Sequence, residues 1–214
     1  HSGGPSTKKD LTMAHFILKS ISFVFHPLIM PLLGVIFYFS KTPRFVPYNI
    51  IYSKLFSTVI LTFILPILLF FLLKTINKVD SIYLRSTKER LIPLFLNCVI
   101  TVLIIWRVFP PNDIPELYFF FVGILCSSLA CFILAVFKVK ASIHMIAASG
   151  FFMFAVAIGI HFKININGTI ALMMVILGAI ATSRLHLKAH NNSELIIGVF
   201  TGLFPQLILL QFWL

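Results

Sequence analysis

Acidic side chains are few in this chain: six Asp and Glu stand against seventeen Lys and Arg among 214 residues, a formal net charge of +11. So few carboxylates leave a two-metal hydrolytic centre without its usual ligands. Charge of either sign is scarce too, at 11% of residues, while 59% are hydrophobic. A soluble domain of this length cannot hide that much apolar surface, which excludes a soluble globular protein. Cysteine is confined to Cys98, Cys126 and Cys131, all inside apolar runs and spaced for neither a disulfide framework nor a zinc site. No internal repeat and no low-complexity linker divides the chain, so a single transmembrane domain is expected over residues 13–214. Residues 1–12 read as a tag remnant and N-terminal tail, without a cleavable signal peptide.

What the chain does have is long apolar runs. They predict an all-α, polytopic transmembrane helix bundle with seven candidate spans at about 16–40, 51–73, 91–106, 117–137, 141–162, 164–182 and 195–214. The first contains His26-Pro27 and Pro31 and is expected to kink or re-enter. The third is short for a hydrocarbon core about 30 Å thick and is expected to begin in its polar prelude. The loops are brief, so neighbouring spans should form antiparallel hairpins. In a soluble chain the basic excess would point to nucleic acid. Here the bases fall in short loops, where they act as topology signals and as headgroup or phosphate contacts, and no nucleic-acid partner is expected. The twenty-four phenylalanines read as lipid-facing and packing residues rather than as a cofactor box.

The most polar short passage of the second half runs from Ser183 to Glu194, between two apolar runs, and holds Arg184, His186, Lys188, His190 and Glu194. Charged groups beside a span are costly unless they reach water or partners, so the cluster is a site candidate. A helix starting near Ser193, a plausible N-cap, would put Glu194 in its first turn with His190 just before it. The carboxylate could then fix the tautomer of a nucleophilic or general-base histidine. With seven spans, three polar segments share one side of the membrane. They are Arg85-Ser86-Thr87-Lys88-Glu89-Arg90, then Lys140-Ala141-Ser142-Ile143-His144, then Arg184 to Glu194. The opposite side carries Lys41, Arg44, Lys54, Arg107, Asp113, Glu116 and Lys163, with no comparable histidine–carboxylate grouping expected. His26 and His161 read as packing or interfacial residues, and Asn167-Gly168-Thr169 as a turn.

Ser183-Arg184, five residues, His190, three residues and Glu194 resembles the third signature of the type 2 phosphatidic acid phosphatase superfamily, which also includes vanadium haloperoxidases. That signature ends in Asp where this chain has Glu194. The segment Lys140 to His144 resembles the second signature, Pro-Ser-Gly-His, keeping Ser142 and His144 and replacing the glycine by Ile143. The first signature, a lysine followed six residues later by Arg-Pro, is matched in two registers. Arg85 with Ile92-Pro93 keeps the spacing, whereas Lys88 with Arg90 keeps both bases; Arg90 is the favoured of the three, and both registers stand. The resemblance covers roughly the last 130 residues. Two full spans separate the first segment from the second, more than in the compact family pattern.

The resemblance implies a helical core like that family's and a phosphohistidine formed on His190, which Glu194 orients. It further implies that His144 protonates the leaving alcohol. Ser142, Arg184 and the bases Arg85, Lys88, Arg90 and Lys140 would hold phosphate oxygens. Two histidines of opposite role plus several cations are what phosphoryl transfer asks for on chemical grounds. The function expected is metal-independent and cofactor-free hydrolysis of a phospholipid or prenyl (pyro)phosphate within a membrane. The alternative is a non-catalytic lipid-phosphate binder or carrier. The distribution of basic residues puts the polar rim on the cytoplasmic face, the resemblance puts it outward, and the oligomeric state stays open.

Overall fold

The computed structural model describes residues 6–76 and 87–214, apart from the side chains of residues 6–12, 14, 87 and 88. Arg85 therefore lies outside the described residues, as does the side chain of Lys88. Every described element is helical. In chain order these are α1 (Ser6–Val24), α2 (Met30–Lys41), α3 (Tyr48–Val59), α4 (Leu65–Thr75), α5 (Thr87–Arg107), α6 (Pro115–Val136), α7 (Ile143–His161), α8 (Asn167–His186) and α9 (Asn192–Leu209). A π-helical turn at Ile60–Ile64 joins α3 to α4, so Tyr48–Thr75 runs as one span. Pro66, which lacks an N–H, opens the α-helix on the far side of that turn.

Among the described residues six helices are long and apolar enough to cross a membrane, which marks an integral, multi-pass membrane protein. The seventh expected span differs. Residues 16–40 do not form one crossing but two shorter helices, α1 and α2, broken at Phe25–Ile29. Pro27 disfavours helical backbone at His26, so the chain must turn there before Met30 restarts the helix. The helix α1 also reaches back to Ser6, inside the stretch expected to be a tail. As expected, α5 begins in its polar prelude, at Thr87.

The bundle is centred on α7. Its most apolar window is 61% buried, against 11% for Tyr48–Thr75, so α7 faces protein while Tyr48–Thr75 faces lipid. Small residues make the central position possible. Gly198 and Gly202, on one face of α9, lie against the backbone of α7 so closely that a Cβ at Gly202 would stand 2.1 Å from the Ile146 carbonyl oxygen. Close approach through small residues four apart is how helices associate when lipid supplies no hydrophobic drive. The aromatic core occupies one half of the bundle, where Phe120 stacks on Phe154 at 4.2 Å and Phe109 on Phe121 at 5.1 Å.

Three loops share one construction. The helices α6, α7 and α8 each end with a lysine in left-handed backbone: Lys138 (φ 61°), Lys163 (φ 52°) and Lys188 (φ 50°). Each is followed by a backbone N–H bonded back across the last turn: Val139 to Leu134, Ile164 to Gly159 and Ala189 to Arg184. These are Schellman caps, in which glycine usually occupies the left-handed position. Lysine there strains the backbone by about 1 kcal/mol, but sets a cation on the negative end of the helix dipole and at headgroup level.

Candidate active site at one end of the bundle

The loop between α6 and α7, the loop between α8 and α9, and the start of α5 meet at one end of the bundle. Arg90, nearly fully buried, donates from Nη1 to the Ala141 carbonyl at 3.1 Å. Lys140 donates to the Ala189 carbonyl at 2.9 Å and lies 3.9 Å from the Glu194 carboxylate. The Ser142 backbone N–H donates to the Glu194 carbonyl at 3.1 Å.

His190 Nδ1 lies 2.6 Å from Glu194 Oε2. A carboxylate can only accept, so the proton sits on Nδ1 and the Nε2 lone pair is left as the reactive atom. The cap that holds this pair differs from expectation. Asn191, not Ser193, is the N-cap of α9, its Oδ1 accepting from the Glu194 N–H at 2.9 Å. The earlier start places Glu194 at the third helical position, four residues from His190, within reach of the imidazole. Burial holds the His190 imidazole well below the usual range, to about 4; the bond to Glu194 pulls the other way, and Arg90, Lys140 and Arg184 push further down. At neutral pH the ring is therefore uncharged and nucleophilic.

His144 opens α7, and its Nε2 donates to the Ser22 carbonyl at 3.1 Å. Ser142 is the N-cap of α7 but makes no capping bond, and its fully buried Oγ has no partner among the described residues. Leaving a buried hydroxyl unsatisfied costs about 1–3 kcal/mol. Arg184 Nη1 reaches Ser22 Oγ at 3.4 Å. An open cavity of about 320 Å³ is lined by Lys140, Lys188, His190, Asn191 and Glu194. His144, Ser142, Arg90 and Arg184 do not line it. The nine expected site residues thus divide. His190, Glu194, Lys140 and Ser142 are joined by direct contacts, Arg90 is tied to the Ala141 backbone beside them, Arg184 and His144 are tied to Ser22, and Arg85 and the Lys88 side chain are not described. Among the described residues no group of three or more His, Cys, Asp or Glu side chains is arranged to hold a metal ion.

The opposite end corrects two expectations. Glu116, 1% exposed, takes Arg44 in a bidentate ion pair at 2.8 and 3.3 Å, His161 Nε2 at 3.0 Å and the Tyr38 hydroxyl at 3.4 Å. A histidine–carboxylate grouping does therefore exist there, and His161 is one of its partners. Close by, Lys54 bonds both Asp113 and the Val108 carbonyl. The signal in the sequence was a lone glutamate at the mouth of an apolar run, which has to find partners. Asn167-Gly168-Thr169 is likewise the first turn of α8, not a free turn.

No family model, curated protein or solved structure matches the chain. The functional reading therefore rests on the geometry of the polar end.

Proposed function

We propose that this protein is a metal-independent lipid-phosphate phosphatase, a divergent member of the type 2 phosphatidic acid phosphatase superfamily. The observation that carries the reading is the His190–Glu194 couple at 2.6 Å, with Arg90, Lys140 and Arg184 close enough to act on it. In the proposed reaction His190 Nε2 attacks phosphorus, the bond from phosphorus to the lipid oxygen breaks, and the three cations neutralise the equatorial oxygens. The departing oxygen takes a proton from His144. For this the His144 ring must carry a proton on each nitrogen: Nε2–H stays on the Ser22 carbonyl, Nδ1–H is transferred, and the ring is left neutral. Water then attacks the phosphohistidine and gives its proton to His144 Nδ1, His190 leaves as the neutral imidazole, and inorganic phosphate is released. Substrates of the fitting class are phosphatidic acid, phosphatidylglycerophosphate and undecaprenyl pyrophosphate, in a membrane such as a bacterial inner membrane.

One observation favours the second reading, a lipid-phosphate binder without turnover: His144 is anchored on a backbone carbonyl and stands back from the open cavity. Phosphate release from detergent-solubilised protein, with chelator present, separates the two. The phosphatase reading expects release from at least one of the three lipids and a loss of about 10³-fold or more in His190→Ala. Release from none, or unchanged release by His190→Ala, refutes it.

A further inference from the structure

The site has a contributor outside the three polar segments. The last turn of α1 and the break after it lie against His144 and Arg184. The Ser22 carbonyl takes the His144 Nε2 proton at 3.1 Å, and Ser22 Oγ meets Ser183 Oγ at 2.7 Å and Arg184 Nη1 at 3.4 Å. Two residues past the end of α1, the His26 ring stands nearly perpendicular to the His144 ring, with centroids 5.5 Å apart and planes at 77°. The Leu28 backbone N–H donates to His26 Nδ1 at 3.3 Å, so that nitrogen is bare and the proton of the neutral ring lies on Nε2. The interrupted helix thus supplies a carbonyl, a hydroxyl and an imidazole of defined tautomer.

We infer that His26 is a positioning residue of this site, holding the His144 imidazole in orientation from the α1–α2 break while Ser22 anchors His144 and Arg184 from the preceding turn. The inference rests on the phosphatase reading for its catalytic consequence, though not for its geometry. The charged and titratable groups acting on His26 are His144 from α7 and Arg184 from α8.

Two substitutions separate positioning by the ring nitrogens from plain packing. His26→Phe keeps a ring of similar size and loses both nitrogens; His26→Gln loses the ring and keeps a side-chain donor and acceptor. If His26 positions His144, His26→Phe lowers kcat at least tenfold with KM within about twofold, the basic limb of the pH–rate profile moves, and His26→Gln recovers part of the rate. If His26→Phe matches the wild type, or His26→Gln is the worse of the two, the inference is overturned while the phosphatase reading stands. Should wild-type protein release phosphate from no lipid, that reading fails instead, and binding of inorganic phosphate followed by 31P NMR decides the inference. Weaker binding by His26→Phe than by His26→Gln supports it. Equal binding, including none by either, overturns it.

Discussion

Replacing Gly202 by alanine should drive α9 away from α7 and loosen the polar end with it. The added Cβ would lie 2.1 Å from the Ile146 carbonyl oxygen, 2.8 Å from its carbon and 2.3 Å from Ser149 Oγ. Carbon and oxygen approach to about 3.3 Å in close interhelical contacts, so the shortfall is on the order of 1 Å. Ser149 can rotate, at the loss of its 3.0 Å bond to the Val199 carbonyl; the α7 backbone cannot. Overpacking of this kind costs about 1–3 kcal/mol, offset by roughly 0.5–1 kcal/mol from alanine's better helix propensity. A net loss of about 1–2 kcal/mol is expected. Gly178 in α8 is the control, because a Cβ there meets nothing within 4 Å. At Gly178 only the propensity remains, so alanine should stabilise by roughly 0.5–1 kcal/mol. Thermal unfolding in one detergent reads both, and the shifts should have opposite sign. Glu194 lies about two turns from Gly202 on α9, bonded to Ser142 on α7, so a slip of about 1 Å should also lower turnover by up to about 10²-fold. Unchanged Tm and turnover in Gly202→Ala, or shifts of the same sign at both glycines, would refute this account of the packing.

Other expectations follow from the same structure. Because His190 titrates well below 6.5, to about 4, phosphate release should persist through mildly acidic pH, and the acid limb set by His190 should lie near pH 4; a limb near 6.5 speaks against the buried, cation-flanked imidazole. The same shift bears on stability with a definite sign. The unfolded chain binds the His190 proton more readily, so this group's contribution is complete above about 6.5 and is lost as pH falls from there toward 4. Comparing wild type with His190→Gln in a Tm series over that window should show the difference. At the opposite end, Glu116→Ala leaves Arg44, His161 and Tyr38 without their shared acceptor and should lower Tm, by about 1–3 kcal/mol of stability. KM should be unchanged, and a large effect on KM would mean the two ends are coupled. Lys138→Gly and Lys163→Gly remove left-handed strain and should each stabilise by about 1 kcal/mol. A loss of stability at both would show that the lysine heads contribute more than the strain costs.

Much of the fold was legible because its causes are local. Six of the seven expected spans correspond to helices, since a run of about 20 apolar residues in lipid has no other way to satisfy its backbone. The break in residues 16–40 could be anticipated from His26-Pro27, but not that it would split the run into two helices, one of them laid against α8. The pairing of His190 with Glu194 could be read from their separation of four residues, a distance a helix start brings together. The cap was misjudged by two residues because Ser193 and Asn191 are both good N-caps, and the choice depends on where α8 releases the chain. The partners of His161 and His26 were not legible for a common reason: each meets a group from a distant segment, Glu116 in one case and His144 in the other, and no periodicity reports such a partner.

By itself the sequence determined the class of solvent this chain folds in, the number and order of its candidate spans within one, and which polar segments share a side. These follow from apolar run length, turn chemistry and span parity, all properties of short stretches. Only the tertiary structure decided which polar groups meet. Ser22, His26, His144 and Arg184 come from three helices and one break, and their contact depends on how closely those helices can approach. That approach is set by backbone packing through small residues such as Gly198 and Gly202, where a single methyl group would be too much.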